Sequence, residues 1–141
     1  MKKSTLIAGI VGAIALYVIN SLFYGMSGIM DGYSTEAGNA VSLPDTDINH
    51  ISLALGHIVL GLLISMIYSN WTRGTHSFMH GARLGALLGA LMGIGLGLIF
   101  MATTNMMSTT GHLVDGAWNI ISFAITGGVV SIMTGKFEDN E

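Results

Sequence analysis

The chain has 141 residues, of which 51% are hydrophobic and only 9% charged, with a formal net charge of −3 and no cysteine. Soluble domains carry about 25% charged residues, so this balance excludes an ordinary soluble globule and points to a polytopic membrane protein. The lack of cysteine excludes disulfides and thiolate chemistry, and the acidic balance leaves no basic patch for nucleic acid.

Crossing a hydrocarbon core takes roughly 20 apolar residues, and four stretches qualify. They are residues 6–30, 51–68, 82–107 and 113–134. The chain therefore reads as a single all-α domain over residues 1–141, a four-transmembrane-helix bundle in contact with the lipid bilayer. The first span opens with a basic segment and an Ala13-x-Ala15 pair of the kind a signal peptidase cuts. Its apolar run continues to Met30, so cleavage would discard half a span, and an uncleaved helix is the better reading. A polar loop over 31–49 follows, holding Asp31, Glu36, Asp45 and Asp47. The second span is the shortest and recruits Trp71 at the interface. A second loop over 69–81 carries Arg73, His76 and His80, and the two histidines, one turn apart before Arg83, suit an anionic headgroup. The last connection is a short turn around 108–111, which makes the third and fourth spans antiparallel neighbours. With four spans, Lys2, Lys3, Arg73, Arg83 and Lys136 fall on one side of the membrane and the loop acids on the other. By the positive-inside pattern both termini are cytoplasmic and the 31–49 loop is extracytoplasmic.

The third span reads GARLGALLGALMGIGLG, with Gly81, Gly85, Gly89, Gly93 and Gly97 at every fourth position. In lipid such a stripe serves close helix packing of the small-xxx-small kind. Residues four apart advance about 400°, so the stripe drifts about 40° per step and winds some 160° over its length. One straight partner is not expected to follow all five. Two uses fit, packing inside the bundle or a seam between protomers of a homo-oligomer. A larger membrane complex would use the same seam.

The fourth span places His112, Asp115, Asn119, Ser122 and Thr126 within roughly 80° of one another. Ionisable groups at membrane depth avoid lipid and face the bundle interior or water. The second span shows a like face with His50, His57, Ser65 and Tyr68, and the first with Tyr17, Asn20, Tyr24 and Ser27. By depth, Asn20, Tyr24, His57, His112, Asp115 and Asn119 all lie toward the outer side. The first, second and fourth spans thus converge on an expected polar cavity open to that side. Three readings fit it: a hydrogen-bonded network that sets helix register, a cavity for a small solute, ion or proton, or a haem or metal site on His57 and His112. Two lone histidines do not define a haem or metal centre, so no cofactor is assigned. Neither H-E-x-x-H, G-x-S-x-G nor S-x-x-K occurs, and Asp115 has no second carboxylate within a span, which points away from an enzyme.

Three segments carry a family likeness. They are SLFYGMSGIMDGY at the end of the first span, GLGLIFMATTNMM at the end of the third, and HLVDGAWNIISFAITGGVVSIM with Asp115, Gly116 and Trp118. In these the chain resembles a small, uncharacterised family of bacterial four-transmembrane-helix proteins, a domain of unknown function. Its glycine-rich third helix ends in Thr-Thr, and its fourth helix opens on an Asn/Asp-x-Gly-aromatic-like pattern. The resemblance implies a multi-pass protein of the bacterial inner membrane and no particular activity. The function expected is structural or accessory, packing through the glycine stripe into a homo-oligomer or larger complex. The alternative is a binder or conductor of a small solute, ion or proton.

Overall fold

The computed structural model describes residues 2–72 and 74–138, so Arg73 of the expected basic side lies outside the described residues. Four helices are long and apolar enough to cross a membrane: α1 (Lys3–Met26), α3 (His50–Trp71), α4 (Phe78–Thr103) and α5 (Thr109–Glu138). A short helix, α2 (Glu36–Val41), lies in the long loop between α1 and α3. Lys2 Nζ reaches Glu138 Oε1 at 3.1 Å, which places both chain ends at one end of the bundle. The opposite end, carrying α2, is the loop end.

Local capping explains where the spans differ from expectation. Gly28 takes φ +64, the left-handed conformation that closes helices, so α1 stops at Met26 rather than at 30. Ser77 accepts the His80 N–H at 3.2 Å, and α4 therefore starts at Phe78, before the expected 82. At its other end the hydroxyls of Thr103 and Thr104 bond to the carbonyls of Ile99 and Phe100, both at 2.8 Å. Those bonds satisfy last-turn acceptors, Thr104 turns extended, and α4 ends before the expected 107. Ser108 Oγ accepts the Gly111 N–H at 3.1 Å and starts α5 earlier than 113. The 30 residues of α5 span about 45 Å, longer than a hydrocarbon core, so its ends project beyond it or it tilts.

Small and hydroxyl-bearing residues share the interior with a few large ones such as Leu16, Ile64 and Phe123, while the exterior is apolar and large. Ser4, Ser65, Thr126, Ser131 and Thr134 are fully buried, whereas Ile14, Leu55, Leu87 and Ile99 are all more than half exposed. Lipid offers no hydrophobic reward for hiding leucine, so contacts are won by close approach and hydrogen bonds. α5 has the lowest span hydropathy, 1.5 against 2.1–2.2, and the largest buried share, 44% against 28%. It is the central helix: α4 packs along one side, α1 along another, and α3 packs on α1 while touching α5 less. α3 and α4 barely meet, so the four helices form a bent row rather than a closed square.

The α4–α5 contact is built on the glycine stripe. A Cβ on Gly81, Gly85 or Gly89 would stand 2.7–2.8 Å from the carbonyl carbon of Gly127, Phe123 or Asn119 respectively. A Cβ on Gly93 would stand 2.8 Å from the Gly116 Cα. As expected, one partner does not follow all five glycines: α5 follows four of them, presenting Gly127, Phe123, Asn119 and Gly116 at steps of four, four and three residues. In addition, the π-helical turn Leu91–Gly95 closes i→i+5 and takes about one more residue per turn, which offsets the accumulated drift. Gly97 departs from the stripe's packing role, for a Cβ there meets nothing within 4 Å. The seam expected between protomers is therefore occupied, over four glycines, by the chain's own last helix.

A second small-residue contact joins α1 to α3. A Cβ on Gly61 would stand 2.6 Å from the Ala13 nitrogen, and one on Gly9 would stand 3.0 Å from the Leu62 Cα. Ser65 Oγ donates to the Thr5 carbonyl at 2.7 Å beside it.

Candidate functional site

The expected polar residues divide into two groups. In the first, His57 Nδ1 lies 2.8 Å from the Leu53 carbonyl, so Nδ1 carries the proton and Nε2 is left to accept from Asn20 Nδ2 at 3.4 Å. Trp118 Nε1 donates to Asn20 Oδ1 at 3.1 Å, and its ring stacks on Phe23 with centroids 4.1 Å apart. Asn20 thus ties α1 to α3 and α5 at once. Tyr17 meets the His57 ring edge-on at 5.2 Å. Both ring nitrogens of His57, the Asn20 amide and the Trp118 indole N–H are all partnered, which suits a lock between helices.

The second group centres on Asp115. Tyr24 donates to Asp115 Oδ1 at 2.6 Å, and Asn119 Nδ2 donates to Oδ2 at 3.2 Å and to the Asp115 carbonyl at 2.9 Å. The π-helical turn Ser21–Met26 carries Tyr24 to this position at the end of α1.

Beside Asp115 is a cavity of about 480 Å³. Its walls are Met92, Leu96, Gly97 and Phe100 of α4 and His112, Asp115 and Asn119 of α5. Its cover is the loop end: Ser34, Gly38, Ser42, Thr104, Met106 and Met107. The cover is fastened by backbone bonds, Thr35 N to the Met106 carbonyl at 3.1 Å and Ser108 N to the Tyr33 carbonyl at 2.8 Å. The Thr35 hydroxyl also donates to the Asn105 carbonyl. Thr35 caps α2 by accepting the Gly38 N–H at 3.0 Å, and Gly38 lies directly on the Met106 carbonyl.

The site therefore differs from the expected cavity among the first, second and fourth spans. His112, Asp115 and Asn119 do line a cavity, but its other wall is α4; Asn20, Tyr24 and His57 lie outside it. A polar face some 80° wide can serve two neighbours, and here Asp115 and Asn119 bond to Tyr24 of α1 while also bordering the cavity. His57 instead borders an apolar groove with Ile10, Ile14 and Ile58 between α1 and α3. The loop residues of the cover were not among the expected site residues, because loop docking has no periodicity to read.

His112 is 6% exposed and borders the cavity, and its Nε2, like that of His80, has no hydrogen-bond partner among the described residues. Leaving such a group unsatisfied costs about 1–3 kcal/mol.

At the other end of the bundle, of the two histidines expected to grip a headgroup, His76 is hydrogen-bonded through both ring nitrogens and His80 is packed with its Nε2 unpartnered. His76 Nε2 lies 2.9 Å from Glu138 Oε2, and its Nδ1 lies 3.2 Å from the Tyr68 hydroxyl. Tyr68 also meets Ser131 Oγ at 2.6 Å, and Ser131 Oγ reaches the Ser77 carbonyl at 2.7 Å. His80 stacks on Trp71 at 4.4 Å. These contacts join the chain ends, α3, α4 and α5.

No protein-family model matches the chain, and neither a curated protein nor a solved structure is similar to it.

Proposed function

We propose that the chain is a small multi-pass protein of the bacterial inner membrane that binds a small solute or ion in the cavity between α4 and α5. The observation that carries this reading is a cavity of about 480 Å³ bordered by the imidazole-bearing His112, itself only 6% exposed, together with Asp115 and Asn119. That volume falls in the range of small-ligand pockets, and the lining has their character, mostly apolar with a few converging polar groups. Charge supports an orientation with cytoplasmic termini: Lys2, Lys3 and Lys136 flank the joined chain ends, while Asp31, Glu36, Asp45 and Asp47 occupy the loop end. The cavity then faces the extracytoplasmic side. An accessory subunit that docks through the glycine stripe has less support, because four of its five glycines face α5.

Native mass spectrometry of the full chain, released from nanodiscs prepared from its own membrane, tests the reading. The wild type is expected to carry a discrete added mass, and Gly97→Leu to lose it by filling the cavity from a position where a Cβ meets no neighbour. A wild type with no added mass, or a mass that survives Gly97→Leu, overturns it.

A further inference from the structure

Three methionines, Met92, Met106 and Met107, border the same cavity as His112 and Asp115. We propose that this cavity is a site for a soft monovalent cation of the Cu(I) or Ag(I) class, ligated by those thioethers and by the His112 imidazole. The inference rests on the binding reading above and names its ligand class.

The donor set selects the ion. Thioether sulfur is a soft ligand that suits Cu(I), and imidazole accompanies it well. Calcium takes six to eight oxygen ligands, and magnesium demands an octahedral oxygen shell, whereas the cavity offers one carboxylate. Zinc in structural sites takes four ligands drawn from cysteine, histidine and carboxylate. Among the described residues no group of three or more such side chains comes together. Methionine and neutral imidazole bring no charge, so Asp115 alone balances one positive charge. Tyr24 and Asn119 hold that carboxylate in place by hydrogen bonds at 2.6 and 3.2 Å.

Methionine commonly fills irregular gaps in apolar cores. Here the three side chains border a void that they leave unfilled, and Met92 and Met106 are 41% and 45% exposed. Their distribution along the chain adds to this. Of the ten methionines, Met101, Met106 and Met107 lie within one short run that ends at His112, MATTNMMSTTGH. That run supplies the end of α4, the cover of the cavity and the first turn of α5.

The test is a titration of the full-length protein in detergent with Ag(I) in chloride-free buffer, a probe that needs no reductant. The wild type is expected to bind one equivalent per chain. The M92L/M106L/M107L variant, which conserves volume and apolarity, is expected to bind about tenfold or more weakly, and His112→Asn likewise. The control M66L/M79L/M133L, which alters methionines away from the cavity, is expected to bind as the wild type does. Thermal unfolding within about 2 °C of the wild type shows that the leucine variant is folded. Absence of stoichiometric Ag(I) binding, or equal binding by the M92L/M106L/M107L variant and the wild type, overturns the proposal. An organic mass that Gly97→Leu displaces, found in a protein that does not bind Ag(I), would overturn the cation class and leave the binding reading standing.

Discussion

Gly85→Ala adds one methyl group where α4 and α5 are closest. The new Cβ would stand 2.7 Å from the Phe123 carbonyl carbon and 3.0 Å from the Ala124 Cα, whereas ordinary contact begins near 3.4 Å. The shortfall is therefore at least about 0.7 Å, since the Phe123 carbonyl oxygen lies nearer still, and the obstructing atoms are helix backbone, which has no rotamer to change. α4 must move away from α5 by that amount. A gap of 0.5–1 Å forfeits about a quarter to a half of the dispersion at each contact it opens. α4 has no other extensive neighbour to compensate, since it barely touches α3. Overpacking costs typically 1–3 kcal/mol, and this site belongs at the upper end, about 3 kcal/mol. Gly97→Ala on the same stripe meets no atom within 4 Å, so its expected effect is within about 0.5 kcal/mol. Unfolding of both variants by titration with a denaturing detergent, followed through Trp118 on α5, measures the difference. Equal stability of the two variants, or a larger loss for Gly97→Ala, would refute the assignment of the stripe to the α4–α5 contact.

Other contacts make separate predictions. Gly38→Ala would drive a methyl group into the Met106 carbonyl and lift the cover off the cavity. Limited proteolysis is expected to cut within residues 28–49 faster in that variant, with global unfolding little changed, and an unchanged cutting rate would argue against a docked cover. Tyr24→Phe removes a 2.6 Å bond to a carboxylate and is expected to cost about 1.5 kcal/mol; a double-mutant cycle with Asp115→Asn should show coupling of about 1 kcal/mol, and zero coupling would dissociate the pair. Tyr68→Phe deletes a buried hydroxyl bonded to Ser131 and His76, with an expected loss of about 1–2 kcal/mol in the same unfolding assay. A loss below about 0.3 kcal/mol would show that the hydroxyl does not tie α3 to α5.

Much of the architecture was legible because lipid is a demanding solvent. A backbone at membrane depth must bond within its own helix, so long apolar runs leave little choice of element, and four such runs mean four spanning helices. The polar stripe of α5 was legible for the same reason, since Asp115 and His112 cannot face hydrocarbon. Helix ends were less legible, because Gly28, Ser77 and Thr104 act through conformation and single hydrogen bonds that hydropathy does not register.

The sequence by itself pointed to a close backbone contact along the stripe Gly81, Gly85, Gly89, Gly93 and Gly97, of which the last meets nothing in the structure. It did not determine whose backbone. That choice came from α5, whose four- and three-residue steps and small residues at Gly116 and Gly127 match the stripe, and from the π-helical turn at Leu91–Gly95 that corrects its drift. The cavity was decided in the same way. Periodicity placed His112, Asp115 and Asn119 on one face, but a helical wheel gives directions and no neighbours. Only the packing of α4 against α5, with the loop end fastened over them by Thr35 and Ser108, set that face against an open volume as well as against Tyr24 of α1.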